Sequence, residues 1–337
     1  MNSRKNTFYS VLIGLFVVGG LAPAVMGQLP TLTAAGIADG FTLTTFATPS
    51  PGNIGCCNGP FGVAVASTGN IIVNTGAGTR YVFADTDGQT VGSALFSTSS
   101  SSFTTAYATA GGQAYGGDGL GHFVQFNANG TINHILTGVT TNPVLGMWGN
   151  PVTGHIEASS GAGLIDINPL ANGGLGSFRV INAAGNGDGV SVSPDGKIAY
   201  SEQGSINGYD IATGALVFSA GGFPSPDGTG VISSTNDLNG DIIVNNNNGE
   251  VDLLNPITKA ITVIATGGSR GDYASPDTNN GTLFLDFADV VGRLSCGEGC
   301  SIGGPPPPTT PEPASLILLG TGLAALAGFK KKKVNQV

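Results

Sequence analysis

Between residues 61 and 295 the chain repeats one short pattern: alternating apolar and polar positions, a polar break containing Gly, then a second alternating run. A period of two belongs to a half-buried β-strand, and Gly with Asn, Asp or Ser supplies the backbone angles of a tight reversal. The clearest unit is "GVSVSPDGKIAYSE" from Gly189, with Ser193-Pro194-Asp195-Gly196 as its turn. Units of the same form start at Phe61, Leu145, Gly230 and Asp272, and a degenerate one at Thr104.

A third run follows most hairpins ("TRYVFADTDG", "HFVQFNANG", "GLIDINPLANG", "SINGYDIATG", "EVDLLNPITK"), and then a fourth ("ALFS", "TINHILTGV", "SFRVINAAG", "ALVFSAGG", "AITVIATGG"). Four antiparallel strands thus recur every 37 to 46 residues or so. That recurrence predicts an all-β fold, a β-propeller of about six four-stranded blades, with five or seven as the neighbouring counts. The last unit lacks its fourth run, and "FTLTTFATP" from Phe41 matches what is missing. The N-terminal strand is therefore expected to complete the final blade, which pairs two otherwise open sheet edges.

Both ends break the pattern. Arg4 and Lys5 precede an apolar stretch over 8–18 and a small-residue region with cleavage points after Ala24 or Gly27, so residues 1–27 read as a Sec-type signal peptide. After the predicted propeller, 41–300, residues 301–310 form a Pro-rich linker that cannot continue a sheet. Residues 314–329 are an uninterrupted apolar run of 16, or about 24 Å as a helix. That is a little short of a roughly 30 Å hydrocarbon core, and the snorkelling side chains of Lys330, Lys331, Lys332 and Lys333 make up the difference. The run predicts a C-terminal transmembrane helix with its lysines on the cytoplasmic side and the propeller outside.

Composition narrows the choices. Charged residues are only 10% of the chain and glycines number 56, which suits short strands and turns and disfavours long amphipathic helices. Apart from the two ends, six basic residues face twenty acidic ones. A body so acidic repels nucleic acid and anionic lipid, and leaves cations, neutral glycans or proteins as partners. Export makes the four cysteines readable as disulfides. Cys56 and Cys57 are adjacent, Cys296 and Cys300 lie at the other end of the predicted ring, and the alternatives are cross-pairing that locks the seam or a vicinal bridge plus a local loop.

In a propeller the innermost strands and the loops entering them line a central funnel. Asn58, Asn186, Asp188, Asp227, Asp272 and Tyr273 occupy such positions, and Asp188, Asp227 and Asp272 form a candidate set for a hard cation such as Ca²⁺. The competing reading is that these are turn formers beside glycine. No catalytic set is recognisable: His122, His134 and His155 are scattered, with no Ser or Cys in a nucleophile motif. Trp148 offers a sugar-stacking platform or a core side chain, "NNNNG" from Asn245 reads as a hairpin turn, and Arg270-Gly271-Asp272 is a tripeptide expected by chance in a Gly-rich chain.

Two resemblances follow from these residues. Pro311-Glu312-Pro313, the Gly-containing apolar run and the basic cluster, together 311–333, resemble the PEP-CTERM sorting signal of Gram-negative bacteria; residues 334–337 beyond the lysines are a departure. The resemblance implies recognition by an exosortase, a membrane transpeptidase that cleaves near the triplet, and association with extracellular polysaccharide or biofilm. "VSVSPDGKIAYSE" and the segment from Gly40 to the first hairpin resemble NHL, YVTN and gluconolactonase-like six-bladed propellers, over residues 41–295. A gluconolactonase-like site implies a funnel Glu with an Asn and an Asp as metal ligands. Glu157, Glu202, Glu250 and Glu298 all lie away from the first innermost strand near Phe61, where that Glu is expected. The expectation is an exported surface or matrix propeller with a binding or structural role, no catalysis of its own and no cofactor beyond a candidate Ca²⁺. A metal-dependent lactonase-like hydrolase is the alternative.

Overall fold

The computed structural model describes residues 27–51, 59–100 and 106–304. The signal peptide, Cys56, Cys57, Asn58, the sorting triplet and the basic tail lie outside them. Among the described residues six antiparallel sheets, each built on a four-stranded unit, form a six-bladed β-propeller. Blade 1 holds Pro60–Val65, Ile71–Thr75, Thr79–Phe83 and Phe96–Ser99; blade 2 holds Tyr107–Ala110, Gln113–Gly117, Phe123–Phe126 and Ile132–Ile135. Blade 3 holds Pro143–Gly149, Ile156–Ser160, Gly163–Asn168 and Ser177–Asn182; blade 4 holds Val190–Val192, Ile198–Glu202, Ile206–Asp210 and Leu216–Ala220. Blade 5 is built on Pro226–Ser234, Ile242–Asn246, Val251–Leu254 and Ile261–Thr266. The innermost strand of each blade packs on that of the next, and that of blade 6 returns to that of blade 1. The degenerate second unit is a complete blade, which fixes the count at six.

Blade 6 has the closure that the missing fourth run requires. Its own strands are Gly271–Asp277, Thr282–Phe287 and Val290–Ser295, and Thr42–Thr48 pairs antiparallel with the last of these, Thr42 opposite Ser295. Every blade then has hydrogen-bonded partners for its inner strands and meets solvent only at its outer edge. The burial follows the radius: Pro60–Val65, Pro226–Ser234 and Gly271–Asp277 are buried throughout, whereas the outermost Leu216–Ala220 is mostly exposed. Inner strands read as apolar or small because both faces are covered by neighbouring blades.

Turn chemistry works as the pattern predicts. In the blade 4 hairpin Ser193 Oγ donates to Asp195 Oδ1 at 2.7 Å and accepts from the Ile198 amide at 2.9 Å, while Gly196 takes a φ of 71°. A Cβ carries a steric penalty at that angle and glycine does not. "NNNNG" is only partly a turn: Asn245 and Asn246 end a buried strand, and the reversal starts after them.

The ring seam is held by charge and aromatic packing. Arg293 on blade 6 pairs with Asp85 and, at 3.1 Å, Asp87 in the loop leaving the third strand of blade 1, and with Asp277 at 3.2 Å. Its guanidinium lies 4.8 Å from the centre of Phe46 and 5.1 Å from that of Phe284. The cross-paired disulfide expected as one way to lock this seam is not how Cys296 and Cys300 are used. They bond to each other, with Cα atoms 5.6 Å apart, because both flank one tight turn at the end of blade 6.

Short segments without periodicity add to this frame. Thr31–Leu32 extends the outer edge of blade 5, followed by the helix Ala34–Ala38 capped by Thr33, whose Oγ accepts from the Gly36 amide at 3.1 Å. Gln89–Thr90 pairs in parallel with the closing strand. After the disulfide loop, Cys300–Ile302 pairs along the C-terminal end of Pro226–Ser234, so the first residues of the expected 301–310 spacer belong to the fold. The helices are as short as composition predicts, and none among the described residues is long and apolar enough to cross a membrane. The expected anchor at 314–329 lies outside them.

Candidate functional site

All six innermost strands enter at one face, here the mouth, and end at the other, the base. At the mouth of blades 3 to 6 glycines let neighbouring backbones touch. A Cβ at Gly146 would sit 2.5 Å from the Asp188 carbonyl oxygen, one at Gly189 2.5 Å from that of Asp227, and one at Gly228 2.6 Å from that of Asp272. Any side chain there would push the blades apart. The three glycines therefore step Asp188, Asp227 and Asp272 around the axis at close spacing.

Two kinds of contact separate the three carboxylates. Asp188 and Asp227 combine with Glu202, their ligand-type oxygens all within 4.8 Å of one another; Asp188 is exposed and the other two are buried. Asp272 instead pairs with Arg270, which also reaches Asp227 at 3.3 Å. Glu202 ends the second strand of blade 4, and its amide and carbonyl bond to Gly189 and Asp188, so the hairpin register carries its side chain to the mouth. Its Oε1 accepts from the Gly204 amide at 3.0 Å. Glu202 is not on the first innermost strand, where the resemblance places the funnel Glu; the structure brings it in from the second strand of blade 4. An apolar-polar alternation broken by one acidic residue at a strand end, "IAYSE", was the available signal.

Burial governs the protonation of this cluster. It pushes the Glu202 carboxyl up to about 7, with Asp188 adding to the rise and the Gly204 amide opposing it. Burial likewise raises Asp227, reinforced by Asp272, Asp188 and Glu202, and raises Asp272 against the pull of Arg270. The Asp188 carboxyl, partly desolvated although the residue is exposed, is raised and is pulled back in part by Arg270. Beneath them Asp286 is 1% exposed, has no hydrogen-bond partner on either carboxylate oxygen, and is pushed well above the carboxylate range by burial and by Asp272. Asn245 braces this layer, its Nδ2 donating to the carbonyls of Asp272 at 2.9 Å and Asp286 at 3.0 Å. Tyr273 packs against Phe61 below the mouth, fully enclosed, and its hydroxyl is raised by burial and the surrounding carboxylates.

The cluster fits a hard divalent cation in donor type and spacing. Oxygens at 2.3–2.6 Å from one Ca²⁺ can be no more than about 5 Å apart, and carboxylates are its preferred ligands. Gathering like charges in a buried pocket is unfavourable unless protons or a cation offset them. Asn186 lies exposed at the same rim, its Oδ1 accepting from Gln203 at 3.1 Å.

The remaining candidates resolve into structure. Trp148 is 0% exposed within the central core, so it offers no platform to a sugar. Arg270 and Asp272 bind each other, which removes the tripeptide as an exposed ligand. His122 pairs with Asp118 at 2.7 Å at the mouth side of blade 2, His155 with Asp166 at 2.8 Å at the base of blade 3, and His134 with the Gly174 carbonyl at 3.0 Å on the outer edge. A base-side cleft of about 340 Å³ between blades 2 and 3 is lined by Tyr115, His155 and Leu170, without convergent carboxylates.

Comparison with known proteins agrees with both ends of this picture. The PEP-CTERM protein-sorting motif matches residues 309–332. No curated protein sequence matches the chain. Among solved structures, a gluconolactonase from Xanthomonas campestris superposes with a TM-score of 0.58 at 17% identity, over 81% of this chain and 97% of that one. A dihydro-heme d1 dehydrogenase aligns with a TM-score of 0.47 at 14% identity, over 67% of this chain and 51% of that one. The first likeness establishes the fold and nothing finer; the second carries no argument. The chain thus carries a PEP-CTERM motif behind a gluconolactonase-like six-bladed propeller.

Proposed function

We propose that this chain is an exported binding propeller, delivered to the cell surface or extracellular matrix through its C-terminal signal, whose mouth holds a divalent cation. The sorting motif over 309–332 carries the delivery half of the reading. The signal peptide takes the chain through the Sec route, and the apolar run holds an inner-membrane intermediate with the propeller outside the cytoplasm. An exosortase-type enzyme then cuts near Pro311-Glu312-Pro313, and extracellular polysaccharide or a surface protein is the destination. Asp188, Glu202 and Asp227 would hold the cation, with Arg270 keeping Asp272 neutralised beside them. Intact mass of the surface-recovered protein, in cells with and without the sorting enzyme, tests delivery. A C-terminus beyond Lys333 in both would refute it.

A metal-dependent hydrolase is the second reading, favoured by one observation. Glu202, its carboxyl pushed up to about 7 by burial, stands beside two further carboxylates on a fold shared with a gluconolactonase; in this reading Asp188 and Asp227 would hold the cation and leave Glu202 free as a general base. The cation would polarise a lactone carbonyl. Turnover of simple aldonolactones with Ca²⁺, lost in Asp227→Asn, would make this the better account; Ca²⁺ binding without turnover favours the binding role.

A further inference from the structure

The chain leaves the propeller at the centre of one face. Ile302 is fully buried, its amide bonded to the Gly281 carbonyl on blade 6, and the Gly303 amide bonds to the Val231 carbonyl on blade 5. A Cβ at Gly303 would lie 2.1 Å from Trp148 of blade 3 and 2.8 Å from Cβ of Pro276 in blade 6. Blades 3 and 6 stand opposite each other in a six-membered ring, so a residue wedged between them sits on the central axis. Both Trp148 and Pro276 lie near the ends of innermost strands, which is the base. Trp148, Ile232, Ala274, Leu283 and Ile302 share one core cluster, which stops the channel there. The described chain ends one residue later, at Gly304, so everything C-terminal to it is attached at the middle of the base.

We propose that the propeller is tethered by the centre of its base, with the acidic mouth turned away from the membrane or matrix that holds the tail. What enters the mouth then comes from the surrounding medium and not from the lipid surface. The inference rests on the sorting tail being the attachment. Pro226–Ser234 runs from mouth to base over nine residues, roughly 25–30 Å, which is the separation the two faces keep from the anchor.

Two exposed turns of blade 5 report on orientation. Asn248 lies in the mouth-side turn between its second and third strands, and Asp237 in the base-side loop between its first and second. Full-length Asn248→Cys and Asp237→Cys proteins, each carrying one fluorophore, are placed in vesicles with an acceptor dye on the lipid headgroups. Energy transfer should be strong from position 237 and at least several-fold weaker from 248; measurable transfer that is equal at the two positions, or reversed, overturns the proposal. A parallel pair carries a C-terminal His tag on nickel-chelating lipid, which holds the tail at the membrane whether or not the apolar run inserts. The same inequality in this pair supports the orientation and its absence overturns it. Transfer in the tagged pair alone would remove the anchor reading and leave the orientation standing.

Discussion

Glu202→Gln separates a strained carboxylate cluster from an ordinary one. Glu202 is 4% exposed and its carboxyl is pushed up to about 7 in the folded protein, against roughly 4.3 in an unfolded chain. Below pH 4 the group is protonated in both states and contributes no difference. From there to pH 7 the folded protein keeps a proton that the unfolded chain releases, so stability falls as pH rises, by about 1.4 kcal/mol per unit. Above pH 7 the full penalty is present, roughly 4 kcal/mol in the metal-free protein. Gln has the same shape, keeps an oxygen for the Gly204 amide and has no charge to bury. Without divalent cations, Glu202→Gln should therefore match the wild type at pH 4 and exceed it at pH 8 by up to about 4 kcal/mol, or roughly 10 °C in Tm. Thermal unfolding in EDTA across pH 4–9 measures this. Millimolar Ca²⁺ should reverse the order at pH 8, because the wild type gains binding energy that the variant lacks. A variant less stable than wild type at pH 8 in EDTA, or a difference that ignores pH, would show that Glu202 is ionised and well partnered, and the cation argument would fail with it.

Other outcomes test separate parts of the structure. Asp227→Asn should weaken Ca²⁺ binding at least tenfold by titration calorimetry and leave the circular dichroism spectrum unchanged. Arg293→Ala should lower stability by about 3–5 kcal/mol in denaturant unfolding, because it strands Asp277 at 0% exposure without its cation; no loss would refute the seam assignment. Reducing Cys296–Cys300 or replacing both by Ser should lose only about 2 kcal/mol, as expected for so short a loop, and leave the ring closed. Trp148→Ala should lower stability by about 3–5 kcal/mol and leave glycan-array binding as it was.

Legibility varied with the length of the signal. Blade 2 was readable although its hairpin "TTAYATAGGQAYGGDG" is Gly-rich, because its third and fourth runs kept the period. Thr31–Leu32, Gln89–Thr90 and Cys300–Ile302 are two or three residues long and have no period to detect; they are strands only because a neighbour's edge is there to pair with. Asn245 and Asn246 look like turn residues by composition, yet sit in a buried strand where Asn245 satisfies the carbonyls of blade 6. Asp188, Asp227 and Asp272 were legible as funnel residues from their place at the start of innermost strands. Glu202 was not, since its approach depends on the register of its hairpin and on the blades closing around Gly189 and Gly228.

By itself the sequence determined what local periodicity and composition can encode: repeated hairpins, a ring of about six blades, the strand that closes it, and an address at the end of the chain. Each of these follows from interactions between residues close in sequence, or from a pattern that one missing run makes conspicuous. The tertiary structure decided the rest. It put Trp148 on the axis and not at a sugar site, joined Cys296 to Cys300, and gave the seam to Arg293. It also gathered a glutamate and two aspartates from two blades within 4.8 Å. Those outcomes depend on distances between residues tens of positions apart, which are set only when the six sheets pack around one axis.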